Sequence, residues 1–582
     1  MKRLLLGLLA LSLSVLTLTS CSQPAGLVKG SSLVIGEGSY LSNINSAVLA
    51  TTGQMRSNSD LAILTMPSFY SVDANGELVA NEAFGTVTAV GNKVTYKLSG
   101  NAVWSDGKPV SEGDLALAWA AAVNESQAGF NSISKTSSLA LATADPVISP
   151  NQLQITYPIL PPDWKTALQI TVPAHLVANQ VFKADSTSDT DTVLLQNEAI
   201  KSGDSQKLAL VASAFNTITA LNTSKASSSL DGDLLVSAGP YLIEKASAQE
   251  AQLVVNPKFT WGPLPTVERL TVKCFNGTKR LLAALNRGEL DLAMPVETIT
   301  TSYAQILTSL DAASDLGVSY QAGVSQTQEV MLFSYRSRSA FAYNLSKSNA
   351  KLVEAARDAF KLYVPRSGFV TTLSPGSALT RSDSLVFSPG TEPYKATVKT
   401  NGTSDLRFQQ AELASEVLIK AGHTEKVPIR VLFDSKNPRG QIEFGILDRY
   451  SKASGFVLQN VSSDNPSQTF ADGSWDVFIT NQQLIGSSST ALASALGSAT
   501  GFKNDSVNKV VASLSKSKDL ANETSKLERL DQLLVQNGFA LPLFTLPNSV
   551  AYSKKLEKYV PNISTQSLVN GYWNWVVSAP AK

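Results

Sequence analysis

The chain is 582 residues long, with 48 basic and 47 acidic side chains and only 16% of its residues charged. Such a length exceeds what one hydrophobic core serves, so two or three domains are expected. The even charge balance, with no basic block, sets nucleic acid aside as a partner, and a surface rich in uncharged Ser, Thr, Asn and Gln suits exposure outside a cell.

Met1, Lys2 and Arg3 form a short basic start, and Leu4 to Leu18 is apolar but too short for an ordinary spanning helix. Residues 1–20 are therefore expected to be a secretion signal. Leu18-Thr19-Ser20-Cys21 resembles a bacterial lipobox, which implies acylation of Cys21 and retention on the extracytoplasmic face of the cell membrane. Residues 21–31, rich in Ser, Gly and Pro, read as a flexible tether. No later segment approaches transmembrane length. Cys274 is the only other cysteine. With Cys21 acylated no intrachain disulfide is available, and Cys274 within LTVKCF reads as a small buried apolar side chain.

Along the body, Leu33 to Ile35 reads as a first strand and Asp73-Ala74-Asn75-Gly76 as a tight turn. Val94, Tyr96 and Leu98 alternate with polar residues, predicting a half-buried strand. Ser105, Asp106 and Gly107 then supply turn chemistry, and Ser111 with Asp114 has capping-box spacing ahead of the apolar run Leu115 to Val123. Leu153 to Tyr157 is a further strand. Ser186 to Thr192 is read as a solvated linker, since it lacks the glycine and terminal glutamate of a calcium loop, and Ala226 to Asp233 as a second Ser-rich stretch. Tyr241 and Ile243 pair with Leu253 and Val255 in a predicted hairpin closed by Phe259 to Gly262. Leu270 to Phe275, Lys279 to Arg287 and Leu290 to Ala293 then read as a strand, helix and strand crossover.

A second α/β region follows Pro295. Leu352, Ala356, Ala359, Phe360 and Tyr363 share one helical face, and Phe408, Ala411, Ala414, Val417 and Leu418 mark a helix ended by Gly422. Val427, Ile429 and Val431 alternate as a strand. A helix through Ile446 to Tyr450 and strands over Phe456 to Leu458 and Trp475 to Thr480 come next. Leu527, Leu530 and Leu534 line a last helix ended by Asn537-Gly538, before Leu541-Pro542-Leu543-Phe544 returns to extended chain.

The stretch from Trp104 to Asp114, WSDGKPVSEGD, resembles the signature of the family 5 solute-binding proteins, the extracytoplasmic receptors of peptide-type ABC importers. Gly239-Pro240-Tyr241, NPKFTWG from Asn256, LNRGELDLA from Leu285 and the helix running into Arg366 resemble further words of that family, in its order. The resemblance implies an α/β, type II periplasmic-binding-protein fold of three domains. Domain I would be discontinuous over 32–67, 163–294 and 550–582, with domain II over 68–162 and domain III over 295–549. It also implies a cleft between domains I and III that closes like a hinge. The expected protein is a monomeric receptor for a small peptide or other solute, working with ABC permease subunits and needing no cofactor.

The chemistry of the side chains agrees with capture rather than catalysis. The two histidines, His175 and His423, are far apart and lack neighbouring ligands, so no zinc or haem site is expected; His175 reads as structural and His423 as exposed. No G-x-S-x-G elbow or phosphate-cradling loop occurs. Ser513 and Lys516 have S-x-x-K spacing, which keeps an anchored serine acyltransferase as a rival from another class, beside a surface adhesin or folding helper. Trp104, Asp106 and Gly107 read as packing and turn residues. Peptide-binding members resemble one another at an aspartate that pairs with the peptide ammonium; counting from Asp476 puts Ile485 at that position and Gln482 near the family's tryptophan. A buried ammonium needs a charge partner. The resemblance therefore implies a cleft that does not select for a free terminal ammonium, unless a carboxylate such as Asp472 substitutes. It places Gln482, Gln483, Ile485 and Phe544 beside the ligand, which is a peptide-like solute or, alternatively, a sugar, metal chelate or signal molecule.

Overall fold

The computed structural model describes residues 26–578, apart from 124–127, 133–137, 143–145, 159, 162, 187, 299–301, 337–338, 342–349, 374–378, 407, 424, 485–499, 515–519 and 562–566. The lipobox with Cys21, Ile485 and Lys516 lie outside the described residues. Among those described, no helix is long and apolar enough to cross a membrane.

Alternating apolar positions build one eleven-stranded sheet among the described residues. Its order runs from Phe456–Asn460 through Val427–Leu432, Val477–Gln483, Val318–Phe333, Ala540–Ser553, Leu292–Ala293, Val28–Glu37, Val267–Cys274 and Glu250–Val255 to Tyr241–Ala246, with Thr380–Arg381 pairing beside Ala540–Ser553. Two strands are far longer than the rest. Val318–Phe333 and Ala540–Ser553 pair antiparallel and pass from one half of the sheet into the other.

That ribbon is broken in register at two places. Val324 faces Pro547 whereas Gln328 faces Thr545, so four steps on one strand oppose two on the other; a second shift separates Glu329 from Val330, which faces Pro542. Proline cannot donate to a ladder and is confined in sheets to bulges and edges. The two prolines of LPLFTLP thus sit where pairing is already irregular, and the ribbon bends there.

A smaller antiparallel sheet orders Gly85–Val90, Lys93–Leu98, Gln152–Thr156 and Val147–Ser149, beside the hairpin Tyr70–Val72 and Leu78–Ala80. Its core is continuous with that of the first half of the large sheet: Trp104, Tyr96 and Leu115 belong to the same buried cluster as Leu33, Tyr241 and Trp575. Ser111 caps helix Glu112–Val123, and half of the expected capping box forms: Ser111 N donates to Asp114 Oδ2 (2.8 Å), while Ser111 Oγ accepts from Gly113 N (3.3 Å) in place of Asp114 N. Gly239 explains the GPY word. A Cβ there would lie 2.5 Å from the Thr65 carbonyl carbon, and the close approach lets Ala238 N and Gly239 N both donate to Thr65 O.

Four local expectations are corrected. The first strand begins at Val28, inside the expected tether, because Val28 pairs with Val267 across a register shift and Ser31 Oγ donates to Val28 O. Ser186 to Thr192 is not a linker; Ser188 caps helix Asp189–Ser202 by accepting from Asp191 N. The helix read from Phe408 begins only at Ala411, leaving Phe408 67% exposed. His423 is half-buried and its Nε2 lies 3.0 Å from Leu352 O.

In the second half, apolar cores cover both faces of the sheet, one around Phe333, Phe360, Tyr363 and Phe456, the other around Leu332, Leu385, Trp475 and Leu530. A buried polar network stitches the elements around them. Arg366, fully buried, donates to Pro542 O (2.8 Å), Ser382 O and Asp383 Oδ1 (2.6 Å). Asp531 on helix Leu520–Gln536 accepts from Ser384 Oγ, Leu385 N, Val386 N and Asn401 Nδ2, all within 3.2 Å.

Burial nevertheless pushes the Asp531 carboxyl up to about 6. A carboxyl raised on folding stabilises most below its unfolded value and loses that contribution as pH rises through its folded value. Asp531→Asn puts an amide donor against other donors and should cost about 2 kcal/mol at pH 4. Urea unfolding from pH 4 to 7 should show this deficit shrinking as pH passes about 6; a constant or growing deficit would contradict the assignment.

Candidate functional site

Register alone locates the candidate site for a ligand crevice. Advancing along Leu292–Ala293 moves from Tyr552 to Ala551 on the ribbon, and advancing along Val477–Gln483 moves from Phe333 to Thr327. Both directions lead to the bend at Val324–Gln328. Val28–Glu37 and Val267–Cys274 run parallel to Leu292–Ala293, directly or through one another, and Val427–Leu432 runs parallel to Val477–Gln483. The carboxyl ends of the parallel strands of both halves therefore converge on the bend, which is where open α/β sheets take ligands.

The charges gathered there sit in two clusters. In the first half, Glu37 ends its strand and accepts from Arg56 Nη2 (2.8 Å), Arg56 Nε (3.2 Å) and Ser57 Oγ (3.2 Å), while Arg56 Nη1 reaches Met294 O (3.3 Å). In the second half, Asn437 caps helix Pro438–Ser454 with proline in the first turn, so Arg439 stands just beyond the carboxyl end of Val427–Leu432. Arg439 donates through Nη2 (2.7 Å) and Nε (3.0 Å) to Glu329 Oε2, through Nη2 to Asn481 Oδ1 (3.3 Å) and through Nη1 to Glu297 Oε2 (3.3 Å). Glu297 follows the strand Leu292–Ala293 and belongs to the segment that leads out of the first half. The Arg439 to Glu297 pair thus ties the start of helix Pro438–Ser454 to the segment that follows Leu292–Ala293.

Behind Arg439 lies Glu443, one helical turn on and fully buried. Burial, and then the neighbouring Glu329 carboxylate, push its pKa well up. Glu329 Oε1 and both Glu443 oxygens are buried and accept no hydrogen bond among the described residues. A proton on Glu443 donated toward Glu329 pairs one oxygen of each of these carboxyl groups. The guanidinium is then fixed from behind by Glu329 and faces Glu297, which is 31% exposed, on its outer side.

The sequence-derived site residues fall in different places. Gln482 faces Gln328 across the strand pair and is buried, with its amide oxygen and nitrogen both unpaired among the described residues. Gln483 ends the same strand opposite Thr327. Phe544 pairs opposite Glu329, but it is fully buried in the core with Phe433 and Tyr363, so it packs rather than lining the crevice. Asp472 is exposed at the end of helix Pro466–Asp472, and Asp476 is occupied by Arg430 (3.0 Å) and Ala340 N (2.9 Å). Trp104 is buried, 6.3 Å from the His175 ring, and Asp106 does more than turn the chain: its Oδ2 lies 2.8 Å from His175 Nε2. Gly107 supplies the positive φ of 89°. Ser513 Oγ donates to Val510 O within its own helix (2.7 Å). The arginine cluster escaped the sequence reading, although the strand followed by Asn437-Pro438 carried the signal of a helix start at a carboxyl end.

A family model described as "Bacterial extracellular solute-binding proteins, family 5 Middle" matches residues 77–504. The chain belongs to this family. An uncharacterized lipoprotein of Mycobacterium leprae is 25% identical over 577 residues, covering 94% of this chain and 93% of its own. Among solved structures, a periplasmic EDTA-binding protein superposes with a TM-score of 0.68 at 15% identity, covering 96% of this chain and 98% of the other. The oligopeptide-binding protein AppA of Bacillus subtilis, in complex with a nonapeptide, superposes at 0.57 with 11% identity, covering 94% and 99%. The mixed α/β architecture is thus that of family 5 binding proteins.

Removing Arg439 leaves Glu329 buried without its partner. Arg439→Ala should cost about 3 kcal/mol in urea unfolding at pH 7, whereas Glu443→Gln, which keeps a neutral donor, should stay within about 1 kcal/mol. Glu443 has a raised folded pKa, so its stabilisation is present at low pH and lost as pH rises; the Gln variant should gain on the natural protein with increasing pH. A Gln variant as damaged as Arg439→Ala would refute the protonated Glu443.

Proposed function

We propose that this family 5 protein is a lipid-anchored, monomeric receptor that captures a peptide or peptide-like solute in the crevice and presents it to an ABC permease. The observation that carries the cargo is Arg439, a cation fixed by buried Glu329 with its outer edge on the crevice. An incoming carboxylate can replace Glu297 there through a charge-assisted, bidentate contact. EDTA and a nonapeptide, the ligands of two structural relatives, both carry carboxylates. Gln482 adds an unpaired amide suited to pairing with a peptide group.

The proposed division is domain I over 32–67, 163–294 and 550–582, domain II over 68–162 and domain III over 295–549, and the crossing of the long ribbon between the two halves of the sheet supports it. Closure of I on III would bend the ribbon at Val324–Gln328 and Thr545–Pro547, where pairing is already interrupted. The lipid on Cys21 would hold the receptor at the extracytoplasmic face, in keeping with the lipoprotein name of the mycobacterial relative.

With synthetic tetrapeptides as probes, calorimetry should show N-acetylation leaving affinity unchanged and C-amidation weakening it about tenfold, the latter difference vanishing in Arg439→Ala. Loss of all binding on N-acetylation would overturn this reading. Tight binding should also compact the protein in solution scattering and raise its melting temperature. For the anchor, Cys21→Ala should abolish acyl labelling; unchanged labelling would remove the lipidation assignment.

A further inference from the structure

A second opening lies away from the arginine cluster. It is a cavity of about 420 Å³ at the outer edge of the first half, where strands Tyr241–Ala246 and Val267–Cys274 end. Through Glu250–Val255, antiparallel to both, these strands point their carboxyl ends the same way as Val28–Glu37. In strand order they stand three and five places from the crossing strand Ala540–Ser553, or about 14 and 24 Å at ordinary strand spacing. The cavity and the Arg439 cluster are therefore separate sites.

Its lining is strongly cationic. Lys245, Lys273 and Arg280 face one carboxylate, Glu250, so the formal balance is three positive against one negative, or +2. Among the described residues none of the three cations is in an ion pair. Glu250 faces Lys273 across the strand pair but accepts instead from Gln252 Nε2 (2.7 Å). Ser227 and Asn276 add neutral donors. Helix Thr278–Leu285 begins beside the cavity at Gly277, with φ 99° and no capping side chain, so the positive end of its dipole is not offset by a capping oxygen.

Unpaired cations kept together around a concave surface repel one another unless an anion joins them. We infer that this cavity binds the phosphate monoester group of a small solute. The dianion matches the excess of two positive charges, and the volume falls in the range of small-molecule sites. Arg280 would supply a forked pair of donors and the two lysines point charges. This site is additional to the crevice and does not depend on what the crevice binds.

Glycerol phosphate is the probe, with glycerol as its uncharged control, titrated into the full mature chain by calorimetry and phosphorus NMR at low and moderate salt. Glycerol phosphate should bind and glycerol should not, with affinity falling as salt rises. The double variant Lys245→Ala, Lys273→Ala and the single variant Arg280→Ala should each weaken binding about tenfold or more. Glu250→Gln should tighten it several-fold, an effect that damage to the fold cannot produce. Lack of binding by the natural protein, or binding indifferent to the lysine and arginine substitutions, would overturn the proposal.

Discussion

The antiparallel ribbon of Val318–Phe333 and Ala540–Ser553 is the constraint on which the rest of the molecule depends. It carries one sheet through two bodies of core, and every parallel strand takes its direction from it. A continuous regular ladder would fix those bodies rigidly. The two extra residues between Val324 and Gln328, and prolines at 542 and 547, remove ladder bonds at the junction while leaving pairing intact on either side. The weakest part of the ribbon therefore lies where the carboxyl ends converge.

Electrostatics then decides what the convergence can recognise. Arg56 with Glu37 and Arg439 with Glu329 are each pairs of a mostly buried arginine and a buried carboxylate. Such pairs add little net stability, because desolvation cancels much of the attraction, but they orient the guanidinium strictly. Arg439 differs from Arg56 in having a partly exposed outer partner, Glu297, which the proposed ligand carboxylate would displace. Burial and the Glu329 carboxylate raise the pKa of Glu443 behind it, which favours the neutral acid and eases repulsion among three carboxyl groups around a single cation.

The words that most resemble the family do their work elsewhere. Trp104, Asp106 and Gly107 join the smaller sheet to helix Ala174–Phe182 through His175, and Gly239 lets two strand-end amides reach Thr65 O. These residues hold the first half and the smaller sheet in one core, and recognition is proposed for the crevice instead.

Much of the fold was legible in the sequence because local patterns dictate local structure. The alternation of Val94, Tyr96 and Leu98, the Asp114 half of the Ser111 and Asp114 cap, and the hairpin from Tyr241 all formed as their spacing required. Ser188 as a cap and Val28 as a strand start were hidden, since each depends on a partner distant in sequence or on a single hydroxyl among many. Phe544 illustrates the same limit at the site: it pairs opposite Glu329 on the ribbon, yet the face of the strand that it occupies sends it into the core. Composition and motif order by themselves determined the family, the α/β class and the absence of an obvious nucleophile motif. Only the tertiary structure brought Glu297 and Glu329 to Arg439 and Glu443 from three separate segments, because contacts between distant segments are defined by distances through space that no local spacing encodes.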